Sequence, residues 1–189
     1  MGVKLRRGFK TEAEAYAREF RLELKLLASA PLDMFVLARH LEIPVISLSD
    51  LQDAISATNY DLLTTPKKKP FSAVTMFSGR HRSIIYNDSN SPGRQQSDLA
   101  HELSHAILDH PPSALTNESG GRHYNKELEE EAACLSSVLL VPLSAAMWML
   151  RSGKTLESLS EQYNISIPML RMRTNKSGAR TIMSRIKRP

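Results

Sequence analysis

The sequence has little of the chemistry that stabilises secreted or membrane proteins. Its 189 residues include one cysteine, Cys134, so no intramolecular disulfide can form and a reducing compartment is expected. The most apolar stretch, SSVLLVPLSAAMWML, is short and interrupted by Pro142 and by serines, so no membrane span is predicted. No apolar signal-peptide core follows the basic N-terminal residues. These absences favour a cytoplasmic protein with no membrane association.

Acidic residues are missing from the C-terminal end. The chain has a formal net charge of +5, and seven basic residues but no acidic one follow from position 171 onward. The remainder holds 18 basic and 20 acidic residues and is therefore close to neutral. A basic tail of this kind can contact nucleic acid or an acidic partner, but it is more often a solvated terminus.

The chain is long enough for one well-packed domain. Helical periodicity predicts a helix over residues 11–29, begun by a capping box of Thr11 and Glu14. A second helix is predicted in LDMFVLARHL, and Pro44 then commits the chain to the extended segment IPVISL. The segments FSAVTMFSG and HRSIIYND are rich in β-branched and aromatic residues, and the turn between them predicts a hairpin.

Helices should follow the hairpin. Ser91 and Pro92 have the pattern of a helix start, and this helix should run to about His110, ahead of a pair of prolines. A further helix is predicted over residues 126–140, and two short helices should flank the turn at Asn164. We therefore expect an α+β fold in which a short sheet is flanked by helices. The expected organisation is a domain over residues 1–150 and a helical, basic segment over residues 151–189.

The stretch SDLAHELSHAILDHPP carries the pattern with the most chemical meaning. Residues four apart lie on one face of a helix, so His101 and His105 can bind one metal ion together. Glu102 lies about 100° around the helix from His101, where it can hydrogen-bond water instead of binding the metal. This is the zincin pattern of two histidine ligands and a glutamate base. A surface helix with two unrelated histidines is the alternative, and chance would produce the three fixed letters in about 1% of such chains.

A catalytic zinc site needs a third protein ligand. The metzincin continuation is absent because Leu108 and Pro111 stand where a glycine and a histidine are required. His110 should lie roughly 140° around the helix from His105 and face away, and Cys134 is expected to be a small core residue. Periodicity favours Glu129, which shares a helix face with small residues, and leaves Glu131 as a competitor. The full set of candidates is His110, His123, Cys134, Glu127, Glu129, Glu130 and Glu131.

HELSH and the segment ELEEEAACLSSVLLVP together resemble the ImmA/IrrE family of metallo-endopeptidases. In that pattern HExxH precedes a ligand glutamate in ExxA, and Leu-Leu-x-Pro ends the same helix. Here the glutamate falls on Glu129, the alanine on Ala132 and the proline on Pro142. The resemblance extends from PLDMFVLARHLEIPVISLSDL to YNISIPMLRMR and covers most of the chain. Ala133 and Leu135 depart from the residues common in the family, and Ser136 replaces a usual alanine.

The resemblance implies a zincin-like minimal catalytic domain over residues 1–150. One zinc per chain would be bound by His101, His105 and Glu129, with Glu102 as general base. Characterised members are bacterial or phage-associated and cleave a helix-turn-helix transcriptional repressor, which switches on stress-response or mobile-element genes. A cytoplasmic zinc endopeptidase with such a substrate is therefore expected. His123 and Tyr124 are candidates for transition-state or substrate contacts, although an ordinary surface loop is the alternative for both.

A second hypothesis assigns the function to the C-terminal helices. SLSEQYNISIPMLRMRTNKSG resembles a helix-turn-helix, with Arg171, Arg173 and Lys176 on the would-be recognition helix. The protein would then be a non-proteolytic metal-binding regulatory or DNA-binding module. Glu157 and Glu161 on the preceding helix instead favour packing of these helices on the catalytic domain. A third hypothesis is a metal-binding sensor without peptidase activity.

Overall fold

The computed structural model describes residues 5–65, 71–79, 81–111 and 125–186. Helices predominate, and three short strands form one sheet, so the predicted α+β class is confirmed. The described elements are, in chain order, α1 (Phe9–Glu23), α2 (Met34–His40), β1 (Val45–Ser47), a 3-10 turn (Ser49–Ala54), α3 (Ala57–Thr64), β2 (Ala73–Ser78), β3 (His81–Tyr86), α4 (Pro92–Ile107), α5 (Lys126–Leu140), α6 (Leu143–Ser152), α7 (Leu156–Tyr163), α8 (Ile167–Lys176) and α9 (Ala179–Ile186).

The sheet has the strand order β1-β3-β2. β1 is parallel to the central strand β3, and β2 is antiparallel to it, with Thr75 opposite Ile84. The predicted hairpin is therefore confirmed, and β2 lies at the edge of the sheet. Ile84 is fully buried and fixes the central strand against the helices. The edge strand and the helix that follows the hairpin border the site described below.

The first helix differs from its prediction at both ends. It begins at Phe9, after Gly8 in the left-handed conformation with φ 87°, and it ends at Glu23. The predicted capping box at Thr11 is wrong, because Thr11 already lies inside the helix. Glu14 has another role: its carboxylate accepts hydrogen bonds from the backbone N–H of Leu143 at 2.8 Å and from the Arg173 guanidinium at 3.0 Å. A side chain predicted to cap its own helix thus connects α1 to the C-terminal helices.

The core is built around the packing of α4 against α5. Leu99 and Leu103 of α4 and Leu135 and Leu139 of α5 are completely buried. Truncating a buried leucine to alanine typically costs about 2–5 kcal/mol, so the contact between these two helices contributes strongly to the stability of the fold. The starts of both helices, at Pro92 and Lys126, are as predicted. The packing brings the HELSH face of α4 opposite the acidic first half of α5.

The C-terminal helices pack on the rest of the protein. α7 and α8 flank Asn164, which has φ 48°, so the two predicted short helices are confirmed. Gly93 at the start of α4 approaches this turn so closely that a Cβ there would lie 3.3 Å from the carbonyl oxygen of Asn164. α9 was not predicted, and it packs beside α6 and α8. The proposed division of the chain after residue 150 stays a prediction.

No single helix among the described residues combines the length and apolar composition of a bilayer span. Lys126–Leu140 and Leu143–Ser152 meet the criterion only as a pair, and the two are bent by 44° relative to each other.

Candidate metal centre

Two helices bring three metal-binding side chains together. His101 and His105 project from α4, and Glu129 from the first turns of α5. The Nε2 atoms of the two histidines are 3.2 Å apart. Glu129 Oε2 lies 3.2 Å from His101 Nε2, and Glu129 Oε1 lies 3.6 Å from His105 Nε2. These atoms form the one cluster of potential metal ligands found among the described residues.

The spacing of the cluster fits a tetrahedral metal ion. Ligand atoms bound to zinc at 2.0–2.1 Å in tetrahedral geometry are about 3.3 Å from one another. The separation of the two Nε2 atoms and that of His101 Nε2 from Glu129 Oε2 are both 3.2 Å, close to that value, and the other carboxylate oxygen, Oε1, lies 3.6 Å from His105 Nε2. An ordinary ion pair would need only one histidine beside the carboxylate. Two imidazole nitrogens and a carboxylate converging on one point therefore form a donor set into which zinc fits.

Two of the other candidate ligands, Glu131 and Cys134, lie outside the cluster. Glu131 accepts a hydrogen bond from Arg6 at 2.9 Å. Cys134 is half-buried rather than fully in the core, and it lines a separate cavity with Glu14 and Arg173; burial raises the pKa of its thiol. Glu129 reaches the histidines because Ala132, one turn further along its face, is small and completely buried.

The electrostatics keep the carboxylate of Glu129 ionised. Hydrogen bonds from His101 and His105 hold its pKa well below the usual range. The same interaction with Glu129 raises the pKa of His101, against the opposing effect of burial. A carboxylate binds a metal only in its ionised form, so Glu129 is in the correct state for a ligand.

Glu102 lies beside the cluster and is held by the sheet. Its Oε2 accepts a 2.6 Å hydrogen bond from the hydroxyl of Thr75 on β2. The carboxylate therefore has one oxygen fixed by the edge strand. Thr75 was not predicted as a site residue, because strand alternation shows on which face a residue lies but not which helix packs there.

A cleft of about 450 Å³ opens next to His101 and Glu102. One wall comes from the start of β2 and another from the methionines Met169 and Met172 of α8. Arg94 and Asp98 form an ion pair of 2.8 Å at its border, and burial raises the pKa of Asp98 although Arg94 opposes this shift. The remaining lining residues are Ser72, Ala73, Ser97, Ala133, Ser136 and Ser137.

His110 contacts the cluster from behind, which corrects the expectation that it faces away. The helix ends at Ile107, so the angle calculated for a continuous helix does not apply. His110 is 5% exposed, and its Nδ1 lies 2.9 Å from the Nδ1 of His105. Burial, and then the neighbouring His105, lowers the pKa of His110.

The remaining predicted site residues are divided between the surface, the interior and undescribed parts of the chain. His123 and Tyr124 lie outside the described residues. Arg171 and Lys176 are exposed on α8. Arg173 is 6% exposed, and its guanidinium donates to the carbonyl oxygen of Val141 at 2.8 Å and to Glu14. The expectation that Arg173 contacts nucleic acid or a partner is corrected, because this side chain is engaged in the interior.

The family model described as the IrrE N-terminal-like domain, Peptidase M78, matches residues 38–175, which are 138 of the 189 residues. His101, Glu102, His105 and Glu129 all lie within the match. No curated protein matches the chain. The resemblance identified from the motifs is therefore confirmed, and the chain belongs to the IrrE N-terminal-like domain family of metallopeptidase type.

Proposed function

We propose that this protein is a zinc-dependent endopeptidase with one zinc per chain. The observation that carries the proposal is the position of Glu102 beside the cluster of His101, His105 and Glu129, on the border of an open cleft. Two imidazoles and one carboxylate leave the fourth position of a tetrahedral site open, and this ligand set suits zinc. When bound, zinc would lower the pKa of a coordinated water to about 7 and polarise the scissile carbonyl.

Glu102 is the proposed general base. A carboxylate at this point can take a proton from the attacking water and pass it to the leaving amine. The hydrogen bond from Thr75 holds Oε2, which leaves Oε1 to accept the proton. The Thr75 hydroxyl also limits rotation of the Glu102 carboxylate, so that Oε1 keeps one orientation during the proton transfer.

The cleft suits an extended peptide. Among the described residues β2 pairs with β3 alone, so its outer edge can accept a substrate segment by strand addition. Thr75 lies on the same strand, which would bring the added peptide past Glu102. The flexible side chains of Met169 and Met172 can adapt to an apolar side chain of the substrate. This geometry favours cleavage within an exposed, extended segment of a protein.

The substrate we propose is a helix-turn-helix transcriptional repressor, whose cleavage would switch on stress-response or mobile-element genes. The support for this substrate is the family resemblance. A cytoplasmic location follows from the same proposal and from the single cysteine.

The competing proposal, a non-proteolytic DNA-binding or metal-sensing module, has less support from α8. Arg173 is engaged with Glu14, and Met169 and Met172 face the cleft. These three residues lie on one side of α8, which is therefore committed to the protein itself. On α8 only Arg171 and Lys176 remain as exposed cations, and DNA binding through them would weaken steeply with salt.

Metal content is the first test. Tag-free protein, analysed by plasma mass spectrometry, should contain about one zinc per chain, and Glu129→Ala should lose most of it. Glu130→Ala is the matched control, because Glu130 is the exposed neighbour of Glu129. A protein that binds no zinc, even when zinc is supplied under reducing conditions, would contradict the proposal.

Cleavage is the second test. A panel of helix-turn-helix repressors from the same genome should contain one that the wild-type protein cuts. Glu102→Gln should retain zinc but lose cleavage. Undiminished cleavage by this variant would exclude Glu102 as the base, and a zinc-loaded protein that cuts none of the repressors or unfolded test proteins would favour the metal sensor.

A further inference from the structure

The chain reverses direction immediately after α4. Leu108 is the C-terminal cap, and Asp109 adopts the left-handed conformation with φ 50°. The Asp109 N–H donates to the carbonyl of Ala106 at 3.1 Å, and the His110 N–H donates to the carbonyl of His105 at 3.0 Å. These two bonds define a Schellman motif, which places the residue after the left-handed position against the third-last residue of the helix. His110 is therefore directed back onto His105 by the backbone.

A side chain from the sheet holds this reversal in place. Arg82 of β3 donates to the carbonyl of Ala106 at 3.2 Å and forms an ion pair with Asp109. The left-handed conformation is unfavourable for most residues other than glycine and is tolerated best by asparagine and aspartate. Asp109 and Arg82 together offset that cost and fix the position of His110.

The two rings meet through their Nδ1 atoms. The distance of 2.9 Å requires one proton between these nitrogens, and the ring planes are inclined by 68°. His105 Nε2 points to His101 and Glu129. For this nitrogen to bind a metal it must carry no proton, so the proton of a neutral His105 lies on Nδ1. His105 is then the donor and His110 Nδ1 the acceptor.

The far side of His110 favours the same arrangement. A neutral His110 that accepts at Nδ1 carries its own proton on Nε2. The carboxylate Oε2 of Glu131 lies 3.5 Å from this nitrogen, and Arg6 holds the other oxygen of Glu131 at 2.9 Å. With the opposite tautomer, the lone pair of Nε2 would face a carboxylate. The negative charge of Glu131 therefore stabilises the tautomer that leaves His105 Nε2 free for a metal.

We propose that His110 is a positioning residue of the metal centre. It accepts the Nδ1–H of His105, fixes the tautomer and ring plane of that ligand, and is itself oriented by Glu131. This inference rests on the proposed zinc site. Metal-binding histidines usually donate their second N–H to a carboxylate or a carbonyl. Here an imidazole stands between the ligand and the carboxylate, and both Glu131 and the ligand Glu129 come from α5.

The test distinguishes the effect of the hydrogen-bond acceptor Nδ1 of His110 from the effect of the volume of its ring. His110→Phe fills the space without an acceptor, whereas His110→Asn places an amide oxygen where Nδ1 lies. The dissociation constant for zinc, measured by chelator competition on the full tag-free chain, should rise about 10–100-fold in His110→Phe. His110→Asn should recover most of the affinity. Thermal unfolding of the metal-free variants reports any loss of fold.

The tautomer itself can be measured without metal. Long-range ¹H–¹⁵N correlation spectra of the metal-free protein should show His105 protonated on Nδ1. In His110→Phe both neutral tautomers of His105 should be populated. Glu131→Gln should weaken zinc binding by less than His110→Phe. Glu127→Gln makes the same charge change at an exposed position of α5, and it should bind zinc as the wild type does.

Each result has one meaning. If Glu129→Ala loses zinc while His110→Phe binds it normally with an unchanged His105 tautomer, the inference is wrong and the proposed zinc site stands. Equal losses in His110→Phe and His110→Asn would also overturn it, because the acceptor would then be irrelevant. If the wild-type protein binds no zinc, the inference and the proposed function fail together. Equal zinc affinities of Glu131→Gln and Glu127→Gln would show that Glu131 does not orient His110.

Discussion

The hydroxyl of Thr75 lies 2.6 Å from Oε2 of Glu102, and this hydrogen bond joins the edge strand β2 to the HELSH helix. The two residues are 27 positions apart in the chain. Their contact fixes the proposed base relative to the strand along which an extended substrate would lie. The orientation of Glu102 therefore depends on the sheet as well as on its own helix.

We expect Thr75→Val to lower kcat without affecting zinc content. Valine has the shape of threonine but cannot donate a hydrogen bond, and a bond to a charged group contributes about 1.5–3 kcal/mol. If this bond acts fully in the transition state, the loss corresponds to about 10–100-fold in rate. Steady-state kinetics on the identified substrate would measure it. Thr75→Ser, which keeps the donor, is the control, and equal kcat values for Thr75→Val and wild type would contradict the role.

The helix of the HELSH motif could be predicted because its signals are local. The 3.6-residue period brings His101 and His105 to one face, and Ser91 and Pro92 define the start. The end of that helix could not be predicted as well. Asp109 adopts the left-handed conformation, and an ion pair with Arg82 on the sequence-distant strand β3 stabilises it there. The resulting contact of His110 with His105 depends on this tertiary interaction, so the angle calculated for a continuous helix was misleading.

The position of the Arg173 side chain, near the C-terminus, also could not be predicted from the sequence. Arg171 and Lys176 lie two and three positions from Arg173 in the sequence, so the pattern favoured an exposed cationic face. The structure turns this side chain toward Glu14 on α1, a residue 159 positions away. Composition indicates how many cations are present, but only packing decides which of them is paired in the interior.

We expect Arg173→Met to destabilise the protein, whereas Arg171→Met should change stability by less than about 0.5 kcal/mol. Removing Arg173 leaves the carbonyl of Val141 without its donor and the partly exposed Glu14 with the N–H of Leu143 alone, at a cost of about 2–3 kcal/mol. Urea unfolding of the metal-free proteins would measure both changes. Similar stabilities for the two variants would show that the buried pair contributes little.

Met169 offers a way to test the cleft wall. We expect Met169→Ala to lower kcat/KM on the preferred substrate by about tenfold, since a lost apolar contact in a pocket costs about 1–3 kcal/mol. A peptide series varied beside the cleaved bond should show a shift toward larger apolar side chains. Met183→Ala is the control, because Met183 contacts Arg151 and is not among the residues lining the cleft. An unchanged preference in Met169→Ala would mean that α8 does not contact the substrate.

Tyr163 connects α7 to the N-terminal part of the chain and provides a test at alkaline pH. Its hydroxyl donates to the carbonyl of Ser29, and burial raises the pKa of Tyr163 to about 12. Because the folded pKa lies above the unfolded value of about 10, the stabilising contribution is complete below pH 10 and is lost as the pH rises toward 12. The loss can reach about 2 kcal/mol.

Tyr163→Phe should remove this part of the pH dependence. The variant should be less stable by about 1 kcal/mol at neutral pH, because the carbonyl of Ser29 loses its donor. Between pH 9 and pH 12 the stability of the wild type should fall more steeply than that of Tyr163→Phe, so that the difference narrows and then reverses. Urea unfolding followed by the fluorescence of Trp148, whose ring centre is 6.2 Å from that of Tyr163, would measure both curves. Parallel curves would mean that the Tyr163 hydroxyl titrates as freely in the folded protein as in the unfolded chain.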